Sequence, residues 1–309
     1  MVRRVGPATP ICGSNNVTYS ACIDWLYADG DRPFADRVRA AAADGMTAVE
    51  FWDWRGRDVD ATRAACDSTG LTVTSFIAEP RGDLTDPSTH TTFVRGVAES
   101  AKVAQQLGCQ SLMVFAGTPR PDTTRAEQHA NVVSGLLAGA RVAADFGMTL
   151  LLEPLNTRID HPDSFLDTTS EALDIIGEVN QPSLRLLYDV YHSAVMGEDL
   201  VRTIQQAASV IGHVQIADSP GRHEPGTGTI DWTAVRQALD AAGYEGLLGL
   251  EYQPVKDTET STAMLRSTVP EGRHAGTGLS NDRAPLPTRF APANTAFGGD
   301  DSEVHGKLP

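Results

Sequence analysis

With 309 residues, 41 % of them hydrophobic, the chain can bury one large core, and no apolar run approaches the roughly 18 residues of a membrane span. The formal net charge of −15 repels a polyanion such as DNA at long range, which argues against a nucleic-acid partner. The two arginines near the start precede no apolar stretch, so no secretory signal is read, and Cys12, Cys22, Cys66 and Cys109 lack paired spacing and read as free thiols of a cytoplasmic protein.

In chain order, short apolar runs predict strands over Tyr19–Leu26, Ala48–Trp52, Thr72–Ile77, Ser111–Ala116, Thr149–Leu155, Leu184–Tyr188, Ile211–Ala217 and Leu247–Tyr252. Helical patterns lie between them. Residues 32–45 carry Pro33 near a helix start and Gly45 at its stop, and residues 90–108 end at Gly108. Residues 169–180 open on Thr169 and Ser170 as a capping pair and close at Asn180. Eight such strand–helix units predict a single α/β domain, a (β/α)8 TIM barrel, over residues 17–269. Residues 1–16 read as an irregular extension. Residues 270–309, rich in Gly and Pro without periodicity, read as a tail, flexible or draped over the surface. Neither end is expected to carry chemistry.

Four strands end on an oxygen-bearing side chain: Glu153 in LLLEPLN, Asp189 in LLYDVYH, Gln215 in HVQIADSPG and Glu251 in LGLEYQP. Successive members lie roughly 30 residues apart, the length of one strand–helix unit. In a parallel barrel those ends meet on one face. Three carboxylates and an amide oxygen gathered there suit a hard divalent cation, and without a cation the carboxylates repel one another. One such glutamate alone is readily explained as a salt-bridged strand end. The same placement on four successive strands is not.

Other residues have two readings each. His192, three residues after Asp189, belongs to the loop above the strand, where it can bond a substrate oxygen, ligate the metal from outside, or simply lie on the surface. His213 shares the face of Gln215 by the period of two and sits deeper, in a core or supporting role. Arg222 lies in a Gly/Pro loop whose glycines allow close approach to a small ligand, although the loop also reads as a structural turn. Trp25 and Tyr27 after the first strand, and Phe51, Trp52 and Trp54 after the second, either wall a pocket or fill the core. Glu50 faces the pocket or is paired elsewhere. Of the remaining histidines, His161 and His223 fall in loops.

The strings LLLEPLNT, LLYDVYH, GHVQIADSPGRHEPGTGTID and GYEGLLGLEYQP resemble hydroxypyruvate isomerase and its close relatives. These are xylose isomerase-like TIM barrels, a group that also includes ketose 3-epimerases. The similarity spans roughly residues 19–254 and is strongest from Thr149 onward. The resemblance implies one manganese or magnesium ion at Glu153, Asp189, Gln215 and Glu251, with His192 and Arg222 around the substrate. Gln215, where the epimerases typically have His, sides with the hydroxypyruvate isomerase branch. The tryptophan-rich segments CIDWLY and EFWDWRGRD depart from that branch; here Trp25 and Trp52 are taken as substrate-binding.

The implied reaction is isomerisation of a small hydroxy-carbonyl acid, in carbohydrate metabolism, through an enediolate, with Glu153 and Glu251 as the proton-transfer pair. Epimerisation of a ketose, or decarboxylation of a 3-oxo sugar acid, shares the same first intermediate. An endonuclease calls for more histidine ligands and a basic groove, and a non-catalytic sugar-binding barrel has no need of both glutamates. No membrane partner is expected, and assembly into a homo-oligomer is compatible with the sequence.

Overall fold

The computed structural model describes residues 18–269. The expected extension over 1–16 and the tail over 270–309 lie outside the described residues. Nine parallel strand segments form one sheet: β1 (Tyr19–Cys22), β2 (Ala48–Glu50), β3 (Thr72–Val73), β4 (Phe76–Ile77), β5 (Ser111–Val114), β6 (Thr149–Leu152), β7 (Leu184–Asp189), β8 (Ile211–Ile216) and β9 (Leu248–Leu250). Their order is β3-β2-β1-β9-β8-β7-β6-β5-β4. The two ends of that order are halves of one interrupted strand, so the sheet closes on itself. The run 72–77 pairs with β2 through its first half and with β5 through its second. Eight strand positions therefore make the barrel that the alternation predicts.

The helices follow in the expected places: α1 (Phe34–Ala43), α2 (Val59–Thr69), α3 (His90–Leu107), α4 (Arg125–Asp145), α5 (Thr169–Val179), α6 (Val190–Met196), α7 (Leu200–Ala207), α8 (Trp232–Ala241) and α9 (Thr258–Thr268). Gly108 and Asn180 stop α3 and α5 in the left-handed conformation. The cap of α5 is Thr168, whose side chain accepts from the Glu171 N–H, and not the Thr169–Ser170 pair. Thr169 is instead held by Glu198 through its backbone N–H and its hydroxyl.

Most strands are shorter than their apolar runs predict. β1 stops at Cys22, β2 at Glu50, β6 at Leu152 and β9 at Leu250. Beyond these points the chain turns outward from the ladder, and the residues there line the barrel mouth. The main core lies between strands and helices; a smaller cluster of Ile77, Met113, Leu151 and Leu187 fills part of the barrel interior. The rest of that interior is polar, with Glu50, His213 and Gln215 all buried. Cys22, Cys66 and Cys109 are free and buried. Among the described residues no helix is long and apolar enough to cross a membrane.

Candidate active site at the C-terminal mouth of the barrel

Glu153 follows β6 directly, Asp189 ends β7, Gln215 is the last residue but one of β8, and Glu251 follows β9 directly. Parallel strands carry all four to the same end of the barrel, and all four are buried. Register sets Gln215 beside Asp189 on one side and Gly249 on the other. Arg222 bridges two of the acids, with Nη2 2.8 Å from Glu251 Oε2 and 3.5 Å from Asp189 Oδ2. His192 bridges another two, with Nε2 3.5 Å from Asp189 Oδ2 and 3.6 Å from Glu153 Oε1. Potential ligand atoms of Glu153, Asp189 and His192 all lie within 4.8 Å of one another.

Burial, then repulsion from Glu251 and Asp189, pushes the Glu153 carboxyl well above its ordinary range. Burial likewise lifts Asp189 to about 7 against the opposing pull of Arg222. Glu251 is raised by burial too, although Arg222 and the Trp52 N–H counter it. Burial disfavours the Arg222 charge, but Glu251, Asp189 and Glu153 outweigh it and hold the guanidinium ionised. Crowded carboxylates of this kind are relieved by protons or by a cation. The Gln215 amide favours the cation. Its Nε2 donates to Glu50 Oε1 at 2.8 Å, while its Oε1 is buried without a partner. An orphaned carbonyl oxygen on the strand next to Asp189, at the mouth where Glu153 and Glu251 also lie buried, is an oxygen donor of the kind a hard divalent ion takes.

His192 stands in the first turn of α6, not in a loop. Asp189 starts that helix by accepting the Tyr191 N–H at 2.8 Å through Oδ1, which leaves Oδ2 toward the site. The Asn156 backbone N–H points at His192 Nδ1 at 3.2 Å, and the Asn156 side-chain Nδ2 lies 2.6 Å from it. Nδ1 therefore faces donors, while Nε2 faces the Asp189 and Glu153 carboxylates and, at 3.3 Å, the Arg222 Nη2 donor. Burial, then Arg222 and His161, push the ring well below its ordinary pKa, so it is neutral. A neutral ring beside two carboxylates can donate to an oxygen or join Glu153 and Asp189 in holding a cation.

Trp25 and Trp52 wall the mouth. Their rings meet edge to face at 5.1 Å, and Trp52 Nε1 donates to Glu251 Oε1 at 2.7 Å. The Arg222 guanidinium lies 4.9 Å from the ring centroids of both Trp25 and Tyr191. The remaining aromatics of those segments do not reach the site. Tyr27 is buried and bonds Asp44, Phe51 stacks on Phe76, and Trp54 donates to Ser100. The cavity, about 560 Å³, is also lined by Arg81, Phe115, Asp160 and His161. His161 stands 5.5 Å from the His192 ring and joins the site despite its loop position.

The loop after β8 is a braced turn. Asp218 accepts from the backbone N–H groups of Ser219, Gly226 and Ile230 and from Trp232 Nε1. Its glycines serve that packing and not a ligand: a Cβ on Gly228 would come within 2.4 Å of Asp218 Oδ1. Arg222 is the loop residue that lines the cavity, turned inward from a left-handed backbone at φ 55°. Its Nε is buried without a partner, a donor left for a bound oxygen.

Residues 38–268 match the family described as xylose isomerase-like TIM barrel. A 2-oxo-tetronate isomerase of Cupriavidus necator is 32% identical, over 80% of this chain and 97% of its own. The hydroxypyruvate isomerase of Escherichia coli is also 32% identical, over 78% of this chain and 95% of its own. A solved structure titled AP endonuclease, family 2, from Brucella melitensis superposes with a TM-score of 0.76 at 29% identity, covering 82% of this chain and all of that one. An acidic cleft at the C-terminal mouth of a closed parallel barrel, and isomerase relatives matched over nearly their whole length, agree: the chain is an isomerase belonging to the xylose isomerase-like TIM barrel family.

Proposed function

We propose that the protein isomerises a short hydroxy-carbonyl acid, of the hydroxypyruvate or 2-oxo-tetronate type, through an enediolate. The observation that carries the reading is the unpartnered Gln215 Oε1 on the strand next to Asp189, at the barrel mouth that also gathers Glu153 and Glu251. These four would hold one manganese or magnesium ion, which would supply charge neutralisation and Lewis-acid polarisation of a carbonyl. Two isomerase relatives with such substrates in their names support the substrate class.

The chain's own groups account for the remaining steps. The Glu251 carboxylate is fixed by Trp52 and Arg222, and Glu153 lines the same cavity, so one removes a proton from carbon while the other returns one. Arg222 Nε, with His192 beside it, donates to a substrate oxygen and stabilises negative charge as it develops. Trp25 and Trp52 keep water from the enediolate. Return of the proton to the neighbouring carbon gives isomerisation; return to the opposite face of the same carbon gives epimerisation. A cavity of about 560 Å³ has room for a chain of more than three carbons, which favours the four-carbon acid as a second reading. A nuclease reading has less support, because among the described residues a single acid–histidine cluster is found and it fits one ion.

The test is incubation with Mn²⁺ in D₂O of hydroxypyruvate, a four-carbon 2-oxo hydroxy acid and a neutral ketohexose. Isomerised acid carrying deuterium on the carbon that receives the proton is expected. Turnover of the ketohexose alone, or decarboxylation, rejects the reading.

A further inference from the structure

Glu50 is the most heavily bonded carboxylate in the barrel interior, yet it is absent from the cavity lining. It ends β2 and is fully buried. His213 Nε2 approaches its Oε2 at 2.8 Å, Gln215 Nε2 its Oε1 at 2.8 Å, and Thr74 Oγ1 its Oε2 at 3.2 Å. Ser20 supports Thr74 from behind at 2.8 Å. Burial would raise the Glu50 carboxyl, but the His213 ring and the bonds from His213, Gln215 and Ser20 outweigh it and hold the group below its ordinary value. β9 leaves the space: a Cβ on Gly249 would stand 2.6 Å from Glu50 Oε1 and 2.9 Å from His213 Nε2. A buried charge with this many donors, none of them substrate, needs a reason.

We propose that Glu50 is a positioning residue that sets which end of the Gln215 amide faces the cation site. A carboxylate only accepts hydrogen bonds, so it binds the NH₂ end of Gln215 and turns the carbonyl oxygen toward the three acids. Without that acceptor the amide has no reason to prefer one face. The inference rests on the cation site proposed above.

Glu50→Gln makes a sharp test, because the shape is kept while the bonding logic reverses. With the His213 proton kept on Nε2, where the native carboxylate holds it, the introduced amide offers it the carbonyl oxygen and aims its own NH₂ at Gln215. Gln215 must then accept with Oε1 and present NH₂ to the site. Adding Gln215→Glu restores the pattern, since a carboxylate accepts from the introduced amide with one oxygen and offers the other to the ion. The swap also keeps one negative charge in the pair.

Mn²⁺ affinity of the full chain is read by electron paramagnetic resonance after chelator treatment, together with Tm. Supporting groups of this kind typically change affinity by about 10–100-fold. The dissociation constant should rise by about that factor in Glu50→Gln and return to within a few-fold of the unaltered protein in the double variant. An unaltered protein that binds no Mn²⁺ defeats the cation site itself. Binding by the unaltered protein with an unchanged constant in Glu50→Gln overturns the positioning role alone. Should Glu50→Gln fail to fold, the double variant decides by itself: Mn²⁺ binding supports the proposal, and a folded double variant that binds none overturns it.

Discussion

Removing the cation should leave a fold that weakens as pH rises. In the metal-free protein the Asp189 carboxyl titrates at about 7, against 3.8 for an ordinary aspartate, and Glu153 and Glu251 move the same way. A carboxyl raised by folding stabilises the fold in its protonated form. That contribution is complete below the unfolded value and is lost as pH climbs through the folded one. The window is therefore about pH 4 to 7. The displacement of Asp189 corresponds to about 4 kcal/mol. Because the three acids share their protons, this figure is taken for the cluster as a whole. At about 2–4 °C per kcal/mol for a domain of this size, the metal-free Tm should fall by up to roughly 8–16 °C across the window. Mn²⁺ at a hundredfold excess over its dissociation constant should restore about 2.7 kcal/mol at about pH 7.5. The assay is differential scanning fluorimetry from about pH 5 to 8, with and without chelator. Asp189→Asn, which keeps the helix cap and removes the charge, corrects for other titrating groups. If the unaltered protein and Asp189→Asn show the same slope, and Mn²⁺ recovers neither, the electrostatic reading of the site is refuted.

Three further outcomes are expected. Glu251→Gln should lower kcat by about 10²–10⁴-fold while retaining an oxygen for the ion; normal turnover with Mn²⁺ bound removes the glutamate from proton transfer. Arg222→Lys should weaken acidic substrates by about 1.5–3 kcal/mol, since lysine cannot place a donor where the free Nε stands; equal losses on hydroxypyruvate and a neutral ketose reject acid selection. Gly249→Ala should cost about 1–3 kcal/mol by forcing a methyl against Glu50 and His213. Its denaturation midpoint is the measure, and an unchanged value means the interior yields more readily than its packing suggests.

The four strand-end residues were legible because two regularities coincide. The repeat of strand and helix sets where each strand ends, and parallel pairing sends every end to one face. The sequence leaves Glu50 facing the pocket or paired elsewhere, and it is paired; its partners His213 and Gln215 are 163 and 165 residues away, and nothing in the string VEF announces them. Asn156 stood inside a quoted motif, yet its role depends on His192 folding back 36 residues later. His192 itself was placed in a loop because a seven-residue helix leaves little periodic signal, although the Asp189 cap was there to be read. His161 was discounted for a loop position that in fact leans over the mouth. The glycines around Arg222 suggested room for a ligand, whereas a Cβ at each would meet the protein itself: His223 at Gly221, Thr268 at Gly226 and Asp218 at Gly228.

Asp189 has one oxygen on the Tyr191 amide and the other toward the acids and His192. These demands accept different substitutes. Asparagine satisfies the helix and disappoints an ion. Glutamate keeps the charge, but its extra methylene cannot leave both oxygens where they are. Alanine loses both, and slackens the turn that holds His192. The position therefore admits no neutral replacement. A redesign of the pocket for another metal or a bulkier substrate has freedom at the rim around Arg81, and must leave this aspartate alone.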